Sequence, residues 1–338
     1  MASRTGFVRF VTVLCLWLAA SVGLTAYAAD AKPYRITMVV FRGCEQACQG
    51  FKDYFADHRI PVEIEVLDCD TDLLKIPGFV AKVKASKPDL LVTWGTTVSL
   101  DMLGTIDHVD PAKHVTDIPA LFMIASTPVG SGLVRDLAAP GRNVSGTLYI
   151  VPVETQLNVA RLYMPFKRVG YILNPTENNS KVVLDELRAA QAKFGFELVE
   201  RTVPLNKAGK PDAASLPAIV NQLADAHADF LYFAPDTFLL LNRDVITGAA
   251  VARKLPVLAT SESVVQEAEA LFGVVNHYYT VGQLTASKAE LILTKKAQAK
   301  DIPVVAPPSF ALIVNMRVAS LIQEYPPIRV LKMAEIVR

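Results

Sequence analysis

The sequence predicts an α/β protein: two doubly wound parallel-sheet lobes joined by a multi-crossing hinge. Three observations carry that expectation. Short β-branched and aromatic runs alternate with segments of helical apolar spacing. The alternation occurs in two successive series of similar length. With 51% of its 338 residues hydrophobic, the chain can fill two cores whose strands are covered on both faces by helices.

The first series of strand-like runs is Arg35–Phe41, Val62–Leu67, Leu90–Thr93, Ala120–Ala125 and Val144–Tyr149. Helical spacing lies between most of them, as over Cys48–His58 and Ile76–Ser86. A helical stretch from Glu154 to Pro165 opens the second series: Val169–Leu173, Phe196–Thr202, Phe230–Phe233, Val257–Thr260 and Phe272–Val275. Lys181–Phe194 and Ser215–Ala226 are among its helices. The hinge is expected near Leu148–Pro152, with return crossings near Asn276–Tyr279 and Lys300–Val304. One lobe then comprises residues 33–148 plus about 278–298, and the other 152–275 plus about 302–326. Residues 327–338 form a C-terminal tail.

Ahead of the first strand, residues 1–28 read as a cleaved secretory signal peptide. Arg4 and Arg9 supply a positive n-region, Val11 to Ala20 an apolar core, and Ala26-Tyr27-Ala28 a small-x-small cleavage pattern. The expected location is therefore the periplasm.

Charge narrows the function classes. Lys+Arg number 34 against 33 Asp+Glu, a net charge of +1, which excludes a nucleic-acid binder working through a general basic surface. The low charged fraction of 20% excludes a disordered tail protein. Removing Arg4 and Arg9 with the signal leaves a near-neutral chain.

Export also changes how the cysteines read. Cys44, Cys48 and Cys69 remain, in an oxidising compartment. The Cys44/Cys48 spacing is CxxxC, and nothing follows at zinc spacing, so no metal is expected. Cys69 and Cys44 both follow strand-like runs. If those strands are parallel neighbours, a disulfide from Cys69 to Cys44 or to Cys48 is geometrically reasonable; three unpaired thiols are the alternative.

In open α/β sheets ligands bind beyond the carboxyl ends of the strands. The first-lobe loops there are Arg42-Gly43-Cys44-Glu45, Trp94-Gly95-Thr96-Thr97 and Ser126-Thr127-Pro128-Val129. In the second lobe they are Asn174 to Ser180, Pro235-Asp236-Thr237 and Ser261-Glu262-Ser263. Hydroxyls and amides before helices suit an anion or a carboxylate, but they are equally ordinary helix caps. Six such loops at one end of two sheets favour a cleft. Its candidate ligand-binding residues are Arg42, Trp94, Thr96, Thr97, Ser126, Thr127, Asn174, Thr176, Asn178, Asp236, Ser261 and Glu262.

Trp94 is either an aromatic platform in the cleft or a plug of the lobe core. Arg42 either clamps a carboxylate bidentately or pairs with Glu45. Tyr278 and Tyr279 read as packing residues at the hinge. No catalytic residue is expected: G-x-S-x-G, H-E-x-x-H and P-loop patterns do not occur. The five His are scattered, and Glu262, Glu267 and Glu269 read as a solvated face. No cofactor is implied.

One resemblance joins these loops. Ser126 to Val134 followed by Pro140 to Gly146 resembles a motif pair of the exported substrate-binding proteins of ABC transporters, of the tryptophan/tyrosine-binding type. Arg168 to Pro175, Ala234-Pro235-Asp236-Thr237, Tyr278 to Gly282 and Val314-Asn315 resemble further family motifs in the same order. The likeness runs from about Tyr34 to Pro327. It implies a monomeric type I periplasmic-binding fold that closes on a small ligand and delivers it to a permease in the inner membrane. It implies that Thr96, Thr97 and Ser126 hold an α-carboxylate and that Asp236 balances an ammonium. The chain departs from the family where Thr127 replaces a common Asp, at Thr237-Phe238, and at Glu269-Ala270. These departures, with Arg42 and Trp94 near the cleft, widen the expected ligand to other carboxylated or aromatic molecules. A sensory subunit signalling to a membrane kinase, or a cleft enzyme, are the alternatives to transport.

Overall fold

The structure, a computed structural model, describes residues 32–337. The signal peptide expected over residues 1–28 lies outside the described residues.

The first lobe is built on a five-stranded sheet in the order β2-β1-β3-β4-β5. Its strands are β1 (Tyr34–Val40), β2 (Val62–Asp68), β3 (Leu90–Trp94), β4 (Ala120–Ala125) and β5 (Val144–Leu148). All four pairings are parallel. Burial follows position in the sheet: every residue of the central strands β3 and β4 is buried. The edge strand β2 alternates between half-buried and exposed over Val62–Val66. This is why β3 and β4 read as unbroken apolar runs and β2 as Val-Glu-Ile-Glu-Val. Helices α1 (Gln46–Asp57), α2 (Ile76–Ser86) and α3 (Thr96–Leu103) form the crossovers.

The second lobe carries seven strands in the order β12-β11-β10-β9-β8-β6-β7. They are β6 (Arg168–Leu173), β7 (Glu197–Thr202), β8 (Phe230–Phe233), β9 (Val257–Ala259), β10 (Phe272–Val275), β11 (Ala311–Asn315) and β12 (Glu335–Val337). The helices between them are α4 (Val153–Tyr163), α5 (Asn178–Phe194), α6 (Leu216–Asp225), α7 (Thr237–Leu241), α8 (Arg243–Ala252) and α9 (Glu262–Gln266). The sheet is parallel except between β10 and β11, which run antiparallel. That exception follows from chain path: after β10 the chain leaves for the first lobe as α10 (Tyr278–Leu293) and returns to this sheet from the opposite end. The segment expected as a tail supplies α12 (Ile328–Leu331), after α11 (Met316–Ile322), and then edge strand β12, parallel to β11.

Three chain segments cross between the lobes, the third only after Val304, which packs with Ile302 in the first-lobe core although the sequence reading assigns residues 302–326 to the second lobe. Their first-lobe anchors are polar and buried. Ser145 Oγ donates to Ile302 O at 2.7 Å, Thr285 Oγ1 to Thr147 Oγ1 at 2.9 Å, and Lys288 Nζ to Gly146 O and Pro303 O. α10 packs closely on α1 because two glycines face the contact. A Cβ on Gly282 would stand 2.0 Å from Ala47 O, and one on Gly50 2.2 Å from Tyr279 O. The approach sets the start of α10, and so Tyr278, against the loop after β1.

The disulfide expectation is corrected. Cys44 pairs with Cys48, with Cα atoms 5.1 Å apart, and Cys69 is a buried free thiol. β1 and β2 are indeed parallel neighbours, but Cys44 leaves the sheet plane and lies one helical turn from Cys48. Cys69 stays in the sheet, bonding through its N–H to Val40 O at 2.9 Å. Burial pushes its thiol up to about 11.

Candidate functional site

The carboxyl ends of both sheets face one interlobe cavity, with about 460 Å³ of empty space that includes part open to solvent. On the first lobe, Phe41 and Arg42 follow β1. Phe41 stacks on Trp94 at a ring-centroid distance of 6.4 Å, and the Arg42 guanidinium lies 6.0 Å from the same ring. Trp94 is only 7% exposed within the lobe core, and it also lines the cavity. Arg42 pairs with Glu45, its Nε donating to Glu45 Oε1 at 2.9 Å, and its side chain lines the cavity. Gly95 turns the chain at φ +82° into α3, a conformation that favours glycine. Thr96 Oγ1 then accepts the Ser126 N–H at 3.2 Å, joining two strand-end loops.

Ser126 is aimed by a strained backbone. Ile124 has φ +59°, and the β4–β5 register shifts between Phe122 and Ala125. A β-branched residue there costs on the order of 1–3 kcal/mol. Ile124 lines the cavity beside Ser126.

On the second lobe, Asn174, Asp236 and Asn179 form a buried polar wall. Asn174 Nδ2 donates to Asp236 Oδ1 at 3.3 Å, and Asn179 Nδ2 donates to Pro235 O. Burial, then the nearby Glu177 charge, push the Asp236 carboxyl well above the usual carboxylate range. Glu177 is raised by burial against the pull of the Thr237 and Phe238 N–H groups, which it accepts at 3.0 and 3.2 Å.

The hinge closes the cavity. Tyr149 and Tyr278 meet edge to face at 5.8 Å, and Asn276 Nδ2 donates to Tyr149 O at 3.0 Å. Glu262 accepts the Tyr278 N–H at 2.9 Å and faces His277 Nδ1 at 2.8 Å, with Glu335 at 3.0 Å from Nε2. Burial works against the imidazolium, but hydrogen bonds to both carboxylates outweigh it and raise His277.

Of the candidate residues, Arg42, Trp94, Thr96, Ser126, Asp236 and Ser261 line this cavity. The others stand elsewhere. Asn174 lies behind Asp236, and Thr176 bonds back to Asn174 Oδ1 at 2.7 Å. Thr97 sits on α3 outside the cavity lining. Asn178 Nδ2 donates across the lobes to Gly130 O at 2.7 Å. Thr127 lines a neighbouring, mainly apolar groove. Glu262 holds the hinge. Residues the sequence reading passed over include Tyr149, Asn179 and Tyr278; the last, expected only to pack, also lines the cavity.

Five buried polar atoms on the cavity-lining side chains have no hydrogen-bond partner among the described residues: Arg42 Nη2, Trp94 Nε1, Asp236 Oδ2, Ser261 Oγ and Tyr278 OH. Buried polar groups are almost always paired, so their gathering on one cavity marks a place where a polar molecule belongs. No cluster of three or more His, Cys, Asp or Glu suited to a metal ion occurs among the described residues.

The family model for ABC transporter substrate binding proteins matches residues 36–337. A "Tyrosine-binding protein" from Clostridioides difficile (strain R20291) is 27% identical over 270 residues, 79% of this chain and 71% of the relative. Among solved structures, a conserved domain protein from Vibrio cholerae superposes with a TM-score of 0.77 at 22% identity, covering 91% of this chain and 100% of the other. The ABC domain in complex with L-Trp from Streptococcus pneumonia gives 0.76 at 22% identity, covering 90% and 100%. The ligand-free, open structure of a substrate-binding protein with adhesive properties from Clostridium difficile gives 0.68 at 24%, covering 90% and 99%.

Proposed function

The chain belongs to the ABC transporter substrate-binding protein family, and on that premise we propose that it captures a small carboxylated, amino-acid-like or aromatic ligand between its lobes. The observation that carries this reading is the set of five unpartnered buried atoms on one cavity. Asp236 Oδ2 is the acceptor for a ligand ammonium, and the Thr96–Ser126 corner supplies hydroxyl and backbone donors for its α-carboxylate. Phe41, Trp94, Tyr149 and Tyr278 provide aromatic walls for an apolar body. The tyrosine named for the C. difficile relative and the L-Trp held by the S. pneumonia protein support the same class.

Capture proceeds by hinge closure. The three crossings let the lobes part, and a ligand that bonds both faces favours the closed state by its differential affinity. The Asn178–Gly130 bond is a contact that closure would make and opening would break. The protein works outside the cytoplasm and hands its ligand to an ABC permease.

A thermal-shift screen of ligand-stripped protein against amino acids, organic acids and aromatic metabolites tests the reading. A tight ligand at 100 times its Kd raises stability by about 2.7 kcal/mol, a shift of a few degrees for a chain of this size. Turnover of a compound, with no melting shift from any of them, would overturn it.

A further inference from the structure

Each lobe carries a guanidinium–carboxylate pair on the same side of the cleft. On the first lobe, after β1, Arg42 Nε donates to Glu45 Oε1 at 2.9 Å. On the second, at the start of α8, Arg243 Nη2 donates to Glu267 Oε2 at 2.7 Å. Glu45 and Glu267 line one groove between the lobes, beside the ligand cavity, and Tyr278 lines both. The other side of the cleft is already joined, where the Asn178–Gly130 bond ties the loop after β6 to the loop after β4. In the first sheet β3 separates β4 from β1, so the two ion pairs stand across the cleft from that bond.

The pairs leave complementary atoms unused. Arg42 takes only Oε1 of Glu45, and Arg243 meets Glu267 only through Nη2. Glu45 Oε2 and Arg243 Nε are both buried and have no hydrogen-bond partner among the described residues. One is an acceptor, the other an obligate donor, and they belong to opposite lobes. Buried polar groups are almost always paired, and each of these two supplies what the other lacks. The second lobe already acts on Glu45. Burial raises its carboxyl against the pull of Arg42; of the second lobe's two charges, Glu267 adds to the rise and Arg243 opposes it.

We infer that Glu45 and Arg243 are positioning residues of capture: an ion pair between Glu45 Oε2 and Arg243 Nε forms across the lobes as the groove narrows, and holds them shut. This rests on the capture reading and adds what retains the closed state. Arg42 links the latch to occupancy, because its side chain lines the ligand cavity while its Nε holds Glu45. Without Arg243, closure would bring the Glu45 and Glu267 carboxylates together with no cation between them, and that like-charge contact opposes it. The latch selects no ligand; it sets how long a ligand stays.

A double-mutant cycle over Arg243→Met and Glu45→Gln tests the pair. Small-angle X-ray scattering of the ligand-free proteins reads lobe opening without any ligand. Stopped-flow dissociation of L-tyrosine and L-tryptophan reads retention. Arg243→Met should enlarge the radius of gyration and speed dissociation about tenfold, with little change in association rate. Adding Glu45→Gln should reverse part of both effects, because it removes the carboxylate that Arg243 no longer neutralises. The gap between the natural protein and Arg243→Met should narrow at high salt. Arg243→Lys keeps a cation beside Glu267 should Arg243→Met fold poorly, and should shift both readouts in the same direction. An Arg243→Met effect that Glu45→Gln leaves undiminished would confine Arg243 to its own lobe and overturn the inference. No effect of Arg243→Met on either readout would overturn it too. If neither amino acid binds, that failure falls on the capture reading, and the scattering cycle alone decides the latch.

Discussion

Asn174 Nδ2 and Asp236 Oδ1 lie 3.3 Å apart, and the Leu239 N–H donates to the same carboxylate oxygen at 2.8 Å. The pair fixes the Asp236 carboxyl so that its other oxygen, Oδ2, is left buried and without a partner among the described residues.

A cationic ligand group at that oxygen couples binding to a proton. The free Asp236 carboxyl titrates well above the usual carboxylate range because it is buried beside Glu177, so below its raised pKa the empty site is protonated. A bound ammonium requires the carboxylate. Affinity for an ammonium ligand should therefore rise as pH increases, up to tenfold per unit, and level off above the raised pKa. Asp236→Asn should abolish this slope and weaken such a ligand by about 100-fold, since truncating one partner of a buried charge pair costs about 2–5 kcal/mol. Calorimetric Kd values between pH 5 and 8 read both effects. An equal slope in the variant would assign the proton elsewhere.

The disulfide gives a count. Cys44–Cys48 spans a sequence separation of 4, so its loop-closure contribution is small, about 2 kcal/mol. In the folded, oxidised protein Cys69 should resist alkylation, being buried with its thiol pushed up to about 11. After denaturation without reductant, Cys69 alone of the three should label; with reductant, Cys44 and Cys48 follow. A Cys69 peptide recovered in a mixed disulfide would contradict the pairing.

What the sequence disclosed tracks the length scale of the signal. β3 and β4 are buried along their whole length and were legible as apolar runs; the cleft was legible because parallel strands deliver their loops to one end. Short features were not. Glu335–Val337 has no apolar run and becomes a strand only by pairing with β11. Cys69 was expected to take Cys44 or Cys48, and those two, four residues apart, paired with each other instead. Asn178, Thr97 and Asp236 look alike as cap-type residues, but only Asp236 points a bare atom at the cavity. Tyr278 looks like hinge packing because it is, and only its unpartnered hydroxyl reveals the second role.

The α1–α10 contact predicts a reversal of helix propensity. Alanine normally stabilises a helix interior over glycine by about 1 kcal/mol. At Gly282 the new Cβ would meet the Ala47 backbone oxygen at 2.0 Å, which cannot yield without separating the helices. Gly282→Ala should cost about 1–3 kcal/mol and weaken ligand binding through displaced Tyr278. Gly78→Ala in α2, with nothing within 4 Å of its Cβ, should lose no stability. Urea midpoints of the two variants decide; destabilisation by both to the same extent would argue against a specific contact.

Lys288 makes the final case, because its burial has a sign that can be measured. It is 5% exposed, and its ammonium donates to two backbone carbonyls, Gly146 O and Pro303 O, bonds that tie α10 and the third crossing to β5. Burial lowers its pKa from 10.5 to about 8. In the unfolded chain the group stays protonated up to its ordinary value. Between the two values the unfolded state binds the extra proton, so folding stability rises with pH across that window. The gain from pH 7.5 to 9.5 is about 2 kcal/mol. It should be sought below the ordinary tyrosine range, where ionisation of the buried phenols Tyr171 and Tyr232 in the unfolded chain begins to act in the opposite direction. Lys288→Met removes the titrating group and keeps most of its volume. The buried Cys69 thiol, also raised, acts in the opposite direction across this window, so the Lys288 contribution is the difference between two proteins. From pH 7.5 to 9.5, unfolding curves should show the natural protein gaining stability relative to Lys288→Met, and an equal change in both would place the titrating group elsewhere.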